Sequence, residues 1–404
     1  MHNLHARNTV RYYILLIILL VFLFFSNDFG LLDVQKTALV TAVGIDRAED
    51  TFVVTSQIAI PQSSKQGNAT EAVQIVSRGK TVADAFEEIN AKTGWYPKLV
   101  FCNLIVLGES TCQENVFDVL EYFLRDEYLT DNCQIVTCDG LAKDLLNTAA
   151  LVDSSSGAAI TKILSAHAAR VGSVLPSTLR EFSIGYFGDS QSGYLPLVKT
   201  QPQQETIGGE QTPPAHNSAE QNGPSEQPSD SAKQNKPVFS AEETALFVRG
   251  KRVGKLTSEE TFAFNAVKNS LQLAPYSLSN TEYAATLTIK QNSQKLSLKI
   301  GQDGKAELKI QLTLTAGILD SSKALPLDKI QDAGDVPDGV FADAEKKLSG
   351  EISTLFEKTR ALNCDIFGVR ELLMKHKPRK FHRYADTLFQ DTLAQVTVRF
   401  RGVR

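Results

Sequence analysis

Few side chains in this 404-residue chain stand at spacings that do chemistry. Ser190, in "GDSQSG" (188–193), is flanked by glycines in the manner of a nucleophile elbow, but the second glycine arrives one residue too late for GxSxG. A plain Gly/Ser loop accounts for it. "DSSSGAA" (153–159) leads into the helix-like run "AAITKILSAHAAR". Free amides at a helix start attract anions, while ordinary serine capping uses the same amides. His167 lies on that run, at a surface or half-buried position. The six histidines, at 2, 5, 167, 216, 376 and 382, do not pair at metal-ligand spacing, and HExxH, GxxxxGK[ST] and GxGxxG are absent. The residues therefore offer no catalytic, cofactor-binding or metal-binding set.

The remaining reactive groups are equally plain. Five cysteines, at 102, 112, 133, 138 and 364, are too few and too irregular for a disulfide scaffold or a CxxC zinc site, and read as small apolar core residues. Odd spacing in the strand-like "CQIVTC" points Cys133 and Cys138 to opposite faces, so they do not bond each other. A bond between neighbouring strands, Cys102 with Cys133, is left open. "KHKPRKFHR" (375–383) gathers Lys375, Lys377, Arg379, Lys380 and Arg383, which suits anionic head groups, an acidic partner or simply a solvated loop. A formal net charge of -4 gives no general drive toward nucleic acid.

The elements that carry these residues follow from periodicity. "TALVTAVGI" and "TFVVTSQIAI" are β-branched runs around the polar "DRAED", which predicts a hairpin. Val82, Ala85, Phe86 and Ile89 at i, i+3, i+4 and i+7 predict a helix, N-capped by Thr81 and stopped near Gly94. "KLVFCNLIVLG" reads as one buried strand, followed by a helix around Val116–Leu124 and the strand "CQIVTC". Residues 201–239 are crowded with Gln, Pro, Ser, Gly and Asn, a composition that cannot offset its ordering entropy, so a disordered linker is expected there. Beyond it, Leu287 and Ile289, then Leu296, Leu298 and Ile300, then Ala306 to Leu314 alternate with polar residues as three antiparallel strands. A long helix marked by Phe341, Ala344, Leu348, Ile352, Leu355, Phe356 and Leu362 follows. Leu393, Val396, Val398 and Phe400 suit a last strand returning to the same sheet. The fold class expected is α+β, with mixed and antiparallel sheets flanked by helices in two to three subdomains.

At the N-terminus, twelve apolar residues from Ile14 to Phe25 cover about 18 Å as a helix, which suits the core of a leader. Including Tyr12, Tyr13, Phe29, Leu31 and Leu32 extends the segment to about 30 Å, enough to span a bilayer. Arg7 and Arg11 keep the N-terminus cytoplasmic, so the body from about Asp33 is exported in either case. The expected division is an anchor or signal segment over 1–32, an α/β region over 33–200, the linker over 201–239, and a C-terminal α/β domain over 240–404.

Several stretches carry a resemblance. "ALVTAVGIDRAED" with "SQIAIPQ", then "VLEYFLRDEYLTDNCQIVTCDGLAKDLL", "GYLPLVK", "ETALFVRGKRVGKLTSEET" and "NCDIFGVRELLMKHKPRKF" with the final "VTVRFRGVR" resemble, in this order, the Ger(x)C family, the C subunits of spore germinant receptors. The resemblance runs from about residue 33 to the end, leaving out the linker. It implies a non-catalytic α/β protein on the outer face of the inner spore membrane, beside a multi-pass A subunit and a transporter-like B subunit, answering nutrients. The family motif positions fall on Gly44 and Asp46, Arg125 and Asp126, and Asp365 and Gly368. Physically, Gly368 suits a chain reversal and Asp365 a helix cap or turn. The family's lipobox cysteine has no counterpart: "SNDFGLLD" stands in its place and no cysteine precedes Cys102, so a retained peptide helix, not a lipid, is expected to hold the chain at the membrane. Two other readings remain at this point: a free-standing exported binding protein for a small solute, and a hydrolase built on Ser190.

Overall fold

The structure is a computed structural model and describes residues 12–21, 37–59, 72–151, 153–201, 237–280, 283–301, 306–321, 338–376, 378 and 387–403. The described part of the N-terminal run is a helix, α1 (12–21), exposed along its length. No helix among the described residues is long and apolar enough to cross a membrane. The rest of the expected anchor or leader, most of the expected linker, and Lys377, Arg379, Lys380 and Arg383 of the basic run lie outside the described residues.

The predicted hairpin is β1 (Thr37–Ala48) and β2 (Thr51–Ala59), closed at Ala48 opposite Thr51. β3 (Ala72–Gly79) adds to its outer edge. The predicted helix is α2 (Val82–Thr93): Thr81 and Asp84 form a reciprocal capping box, Gly94 closes the C-terminus at φ 72°, and the four apolar residues of the sequence pattern are buried.

The single strand expected over "KLVFCNLIVLG" is two strands. β4 (Tyr96–Lys98) and β5 (Leu104–Leu107) pair in parallel with successive stretches of β1, and the chain turns out between them. The cause lies in β1, whose register shifts between Val40 and Ala42. A straight neighbour cannot follow a bulged strand. The detour leaves Val100 and Phe101 exposed and rejoins the sheet where Asn103 N–H meets Thr41 C=O at 3.0 Å.

The chain continues through α3 (Glu109–Cys112), α4 (Phe117–Arg125), β6 (Gln134–Cys138), α5 (Ala142–Asn147), α6 (Ser156–Ile163), α7 (Ala166–Arg170), α8 (Leu179–Phe187) and β7 (Ser192–Gln201). The helix expected over 158–170 is divided into α6 and α7, because Ser165 adopts an extended backbone and caps a new helix through Ala168 N–H. β8 (Val238–Val248) then pairs antiparallel with β7 from Gln201–Val238 to Ser192–Val248, and β9 (Lys251–Leu256) follows it. One mixed sheet results, in the order β3-β2-β1-β5-β6-β7-β8-β9, with β4 also on β1. Residues 202–236 thus fall between two neighbouring strands of one sheet.

After α9 (Ser258–Val267), a second sheet runs β10 (Ala274–Ser279), β11 (Ala284–Ile300), β12 (Ala306–Ser321) and β13 (Leu393–Gly402), the last parallel to β12. Helices α10 (Asp338–Ala361), α11 (Val369–His376) and α12 (Leu388–Asp391) complete the chain. Ala344, Leu348, Ile352, Leu355 and Phe356 of α10 share one core with Leu287, Ile289, Leu308, Ile310 and Leu312. Mixed and antiparallel sheets flanked by helices are the architecture expected from periodicity.

The stretches expected as separate strands, around Leu287 and around Leu298, are one strand, β11. Ile289 and Leu296 are seven residues apart, an odd number, and would face opposite sides of an unbroken strand. The register shifts between Ile289 and Gln291, leaving Lys290 as the extra, exposed residue, so both apolar sets pack on one core. Deleting Lys290 is therefore expected to turn Leu287 and Ile289 to water, at about 1.5–3 kcal/mol each, while Lys290→Ala stays within about 0.5 kcal/mol of the parent. Urea denaturation of the three chains side by side checks this; equal midpoints for the deletion and the parent would contradict the bulge's role.

Candidate functional site

The six motif positions fall into three clusters, and in each an aspartate accepts two backbone N–H groups. Asp46 ends the buried part of β1. Its carboxylate takes Ala142 N–H at 2.7 Å and Lys143 N–H at 3.0 Å, at the first turn of α5, a helix that begins 96 residues later. Gly44 sits one pleat earlier, and a Cβ there would lie 2.9 Å from Leu146 and 3.2 Å from the Ala142 side chain. Glycine is what lets α5 lie on β1. Gly108 plays the same part from β5: a Cβ there would fall 1.9 Å from the Asp46 carboxylate. Burial pushes the Asp46 carboxyl above its ordinary value, and the two amides, Lys143 first, pull it back.

Asp126 follows the last residue of α4. Its Oδ1 takes Tyr128 N–H at 2.8 Å and Leu129 N–H at 3.0 Å, the side-chain turn that Asp readily makes at a helix end. Arg125 points outward and pairs with Glu121 one turn back. Both line a shallow cleft with Phe52, Tyr122 and Tyr128.

Asp365 is 1% exposed. Its two carboxylate oxygens take Val369 N–H at 2.9 Å and Arg370 N–H at 2.8 Å, at the start of α11. Gly368, at φ 71°, supplies the left-handed backbone that folds the chain back onto its own aspartate. On the other side, α10 ends in a Schellman pair: Cys364 N–H reaches Thr359 C=O, and Asn363, at φ 53°, reaches Arg360 C=O. The turn is also fastened to the first sheet. Asp365 N–H donates to Ser192 Oγ at 3.0 Å, Ser192 Oγ donates to Ser190 C=O at 2.9 Å, and the Glu371 carboxylate takes Ser190 N–H at 2.9 Å. Arg370 reaches Asn363 Oδ1 and covers the Phe389 ring.

The structure thus brings Ser190, from the glycine-flanked loop, to Asp365, and keeps the other two aspartates in separate clusters. Ser190 is buried, with both backbone groups engaged in that turn. Around "DSSSGAA", Ser155 caps α6 through Ala158 N–H, and Gly157 N–H is taken by Gln57 Oε1 at 3.1 Å. His167 is exposed on α7. All five cysteines are buried free thiols, Cys102 and Cys133 included. Burial pushes Cys112 up to about 11 and Cys364 up to about 12, so neither is a thiolate at neutral pH. Among the described residues no three His, Cys, Asp or Glu side chains gather as a metal site.

Three residues that do much of this fastening escape a reading of motifs. Gln57 is 1% exposed on β2 and links Leu146 C=O, Ser156 Oγ and Gly157 N–H; Ser192 and Glu371 hold the Asp365 turn. For Gln57 a signal exists: a long amide inside an otherwise apolar strand must find buried partners.

Burial lifts the Asp365 carboxyl from 3.8 to about 6, against the pull of the two amides. Between those values the folded chain keeps a proton that the unfolded chain has released. The stability this contributes is complete below pH 3.8 and is lost as pH rises through 6. Asp365→Asn removes that titration, so its deficit against the parent is expected to be larger near pH 4.5 than near pH 7.5. Asp365→Ala removes the same titration and also leaves two buried amides unpaired, so it is expected to fall about 1–3 kcal/mol below Asp365→Asn at either pH. Denaturation midpoints across this range check both; an Asn deficit that grows with pH contradicts the account.

Comparison with known proteins covers most of the chain. Residues 32–200 match the family model described as the spore germination protein N-terminal domain, and residues 242–401 match the one described as spore germination B3/GerAC like, C-terminal. A 119-residue stretch, 28% of this chain, is 29% identical to spore germination protein B3 of Bacillus subtilis (strain 168) and spans 31% of that relative's length. The crystal structure of the GerBC protein shares the fold, with a TM-score of 0.51 at 18% identity over 89% of this chain and 96% of that one. The chain belongs to the GerAC-like family of spore germination proteins.

Proposed function

We propose that the chain is the C subunit of a nutrient germinant receptor. In this reading it is a non-catalytic subunit that acts by assembly or signalling with a multi-pass A subunit and a transporter-like B subunit, and its N-terminal segment tethers it to the outer face of the inner spore membrane. The observation that carries the reading is the succession of both family stretches, N-terminal then C-terminal, along nearly all of the chain outside the 201–239 insert. The name of the relative, a spore germination protein, supports the process. The chemistry of the motif residues supports the absence of catalysis: Asp46, Asp126 and Asp365 spend their carboxylates on backbone amides, and Gly44 and Gly368 serve close approach and chain reversal. Their role in this reading is to fix the shape that partner subunits recognise.

Spores lacking the chain are expected to lose nutrient-triggered dipicolinate release, and expression of the intact chain to restore it. A chain carrying Ser190→Ala is expected to restore the response as well as the parent does. Unchanged nutrient germination without the chain would sink the receptor reading, and a Ser190→Ala chain present at parental levels but inactive would favour catalysis instead.

A further inference from the structure

One end of the first sheet is unlike the rest of the surface. The strands β1, β4, β5 and β6 run parallel, and Asp46 and the α5 contact lie at their C-terminal ends. Their N-terminal ends carry Trp95, Tyr96, Val100 and Phe101, with Val73 beside them on β3; these side chains are 43–54% exposed. Trp95 is the chain's one tryptophan. Together with Tyr128, whose ring carries the Lys98 amine at 4.3 Å, this rim holds four of the five exposed aromatic rings described beyond α1. An apolar cavity of about 240 Å³, walled by Ala38, Ile58, Val73, Ile75 and Trp95, opens on it.

The same rim is where the chain enters the folded body. Thr37, the first residue of β1, pairs with Tyr96. Eleven residues, 26–36, separate it from the apolar run that ends at Phe25, a reach of at most about 40 Å. Whatever holds the apolar run holds this rim close. We infer that the rim of Val73, Trp95, Tyr96, Val100 and Phe101 rests on the lipid bilayer, with its rings at head-group depth. The inference builds on the tethering reading and adds a second contact between protein and membrane.

Two observations favour lipid over a second copy of the chain. Tryptophan and tyrosine carry an apolar body and a polar edge, which suits the boundary between acyl chains and head groups, and the Lys98 amine over the Tyr128 ring adds a positive charge beside them that anionic head groups can meet. The area is also small. Five half-exposed side chains present roughly 400 Å², about half of the 800 Å² or so per partner that a stable dimer buries. A bilayer needs no such minimum, because the tether has already supplied the encounter.

The full chain, reconstituted in vesicles of phosphatidylcholine and phosphatidylglycerol, lets Trp95 report directly. The expected result is flotation with the vesicles, a blue-shifted emission, and loss of roughly half of that emission or more when the acyl chains are brominated near the head group. The triple change Val73→Ser, Tyr96→Ser and Phe101→Ser, with circular dichroism unchanged, is expected to float equally and to lose the bromine quenching. Flotation with Trp95 open to acrylamide and indifferent to bromine overturns the lipid contact and leaves the tether standing. Flotation with Trp95 shielded from both quenchers overturns it in favour of self-association. A chain that does not float overturns the contact and the tether together.

Discussion

A carboxylate buried among apolar side chains is costly unless fixed donors meet it, and this chain meets Asp46 and Asp365 in the same way. Each oxygen of each group receives one backbone N–H from the first turn of a helix. The benefit runs both ways, because the first turn of a helix has amides without intrahelical partners, which are themselves expensive to bury. Asp46 solves that problem for α5 from a strand 96 residues away, so the β1–α5 contact holds only if both segments are in place. Asp365 does so locally for α11, but its own N–H and its neighbours reach across to Ser192 and Ser190, so the start of β7 and the end of α10 are fixed together. The two groups therefore set the position of helices on both sheets, and the nearby glycines are the space those approaches need.

These constraints divide the first sheet into two ends with different characters. The C-terminal ends of the parallel strands are closed by amide-bound carboxylate, by α3, whose Thr111 hydroxyl donates to Ile45 C=O, and by α5. The N-terminal ends are open, aromatic and adjacent to the point where the chain arrives from its N-terminal segment. A body closed by hydrogen bonds at one end and apolar at the other fits the role proposed for it beside membrane subunits. Gln201 and Val238 lie opposite each other in the β7–β8 ladder, so the residues between them join two neighbouring strands of one sheet.

Elements that declare themselves locally were legible in the sequence. The α2 box at Thr81 and Asp84, its stop at Gly94, the β1–β2 hairpin and the apolar stripe of α10 each depend on residues a few positions apart. Two of the departures share one physical cause, the one-residue bulge, whereas the break between α6 and α7 is a serine cap at Ser165. At Thr41 it cuts the expected strand into β4 and β5; at Lys290 it reverses the apolar phase between Ile289 and Leu296, which reads in the sequence as two strands although β11 is continuous. For the site, resemblance located the aspartates and glycines, while the amides they bind could not be read: Ala142 and Val369 contribute backbone, which has no sequence signature. Ser192 and Glu371 were invisible for a related reason, since their partners are main-chain groups brought near only by the finished fold.

Hydrogen exchange at four amides tests the central claim most directly. First-turn helix amides without a partner exchange quickly, so the N–H groups of Ala142, Lys143, Val369 and Arg370 are informative where others are not. If buried carboxylates hold these helices in place, all four exchange only when the whole chain unfolds, as slowly as the core strands β1 and β5. Exchange at Val369 and Arg370 on the timescale of an exposed loop, in an otherwise protected protein, would contradict the account.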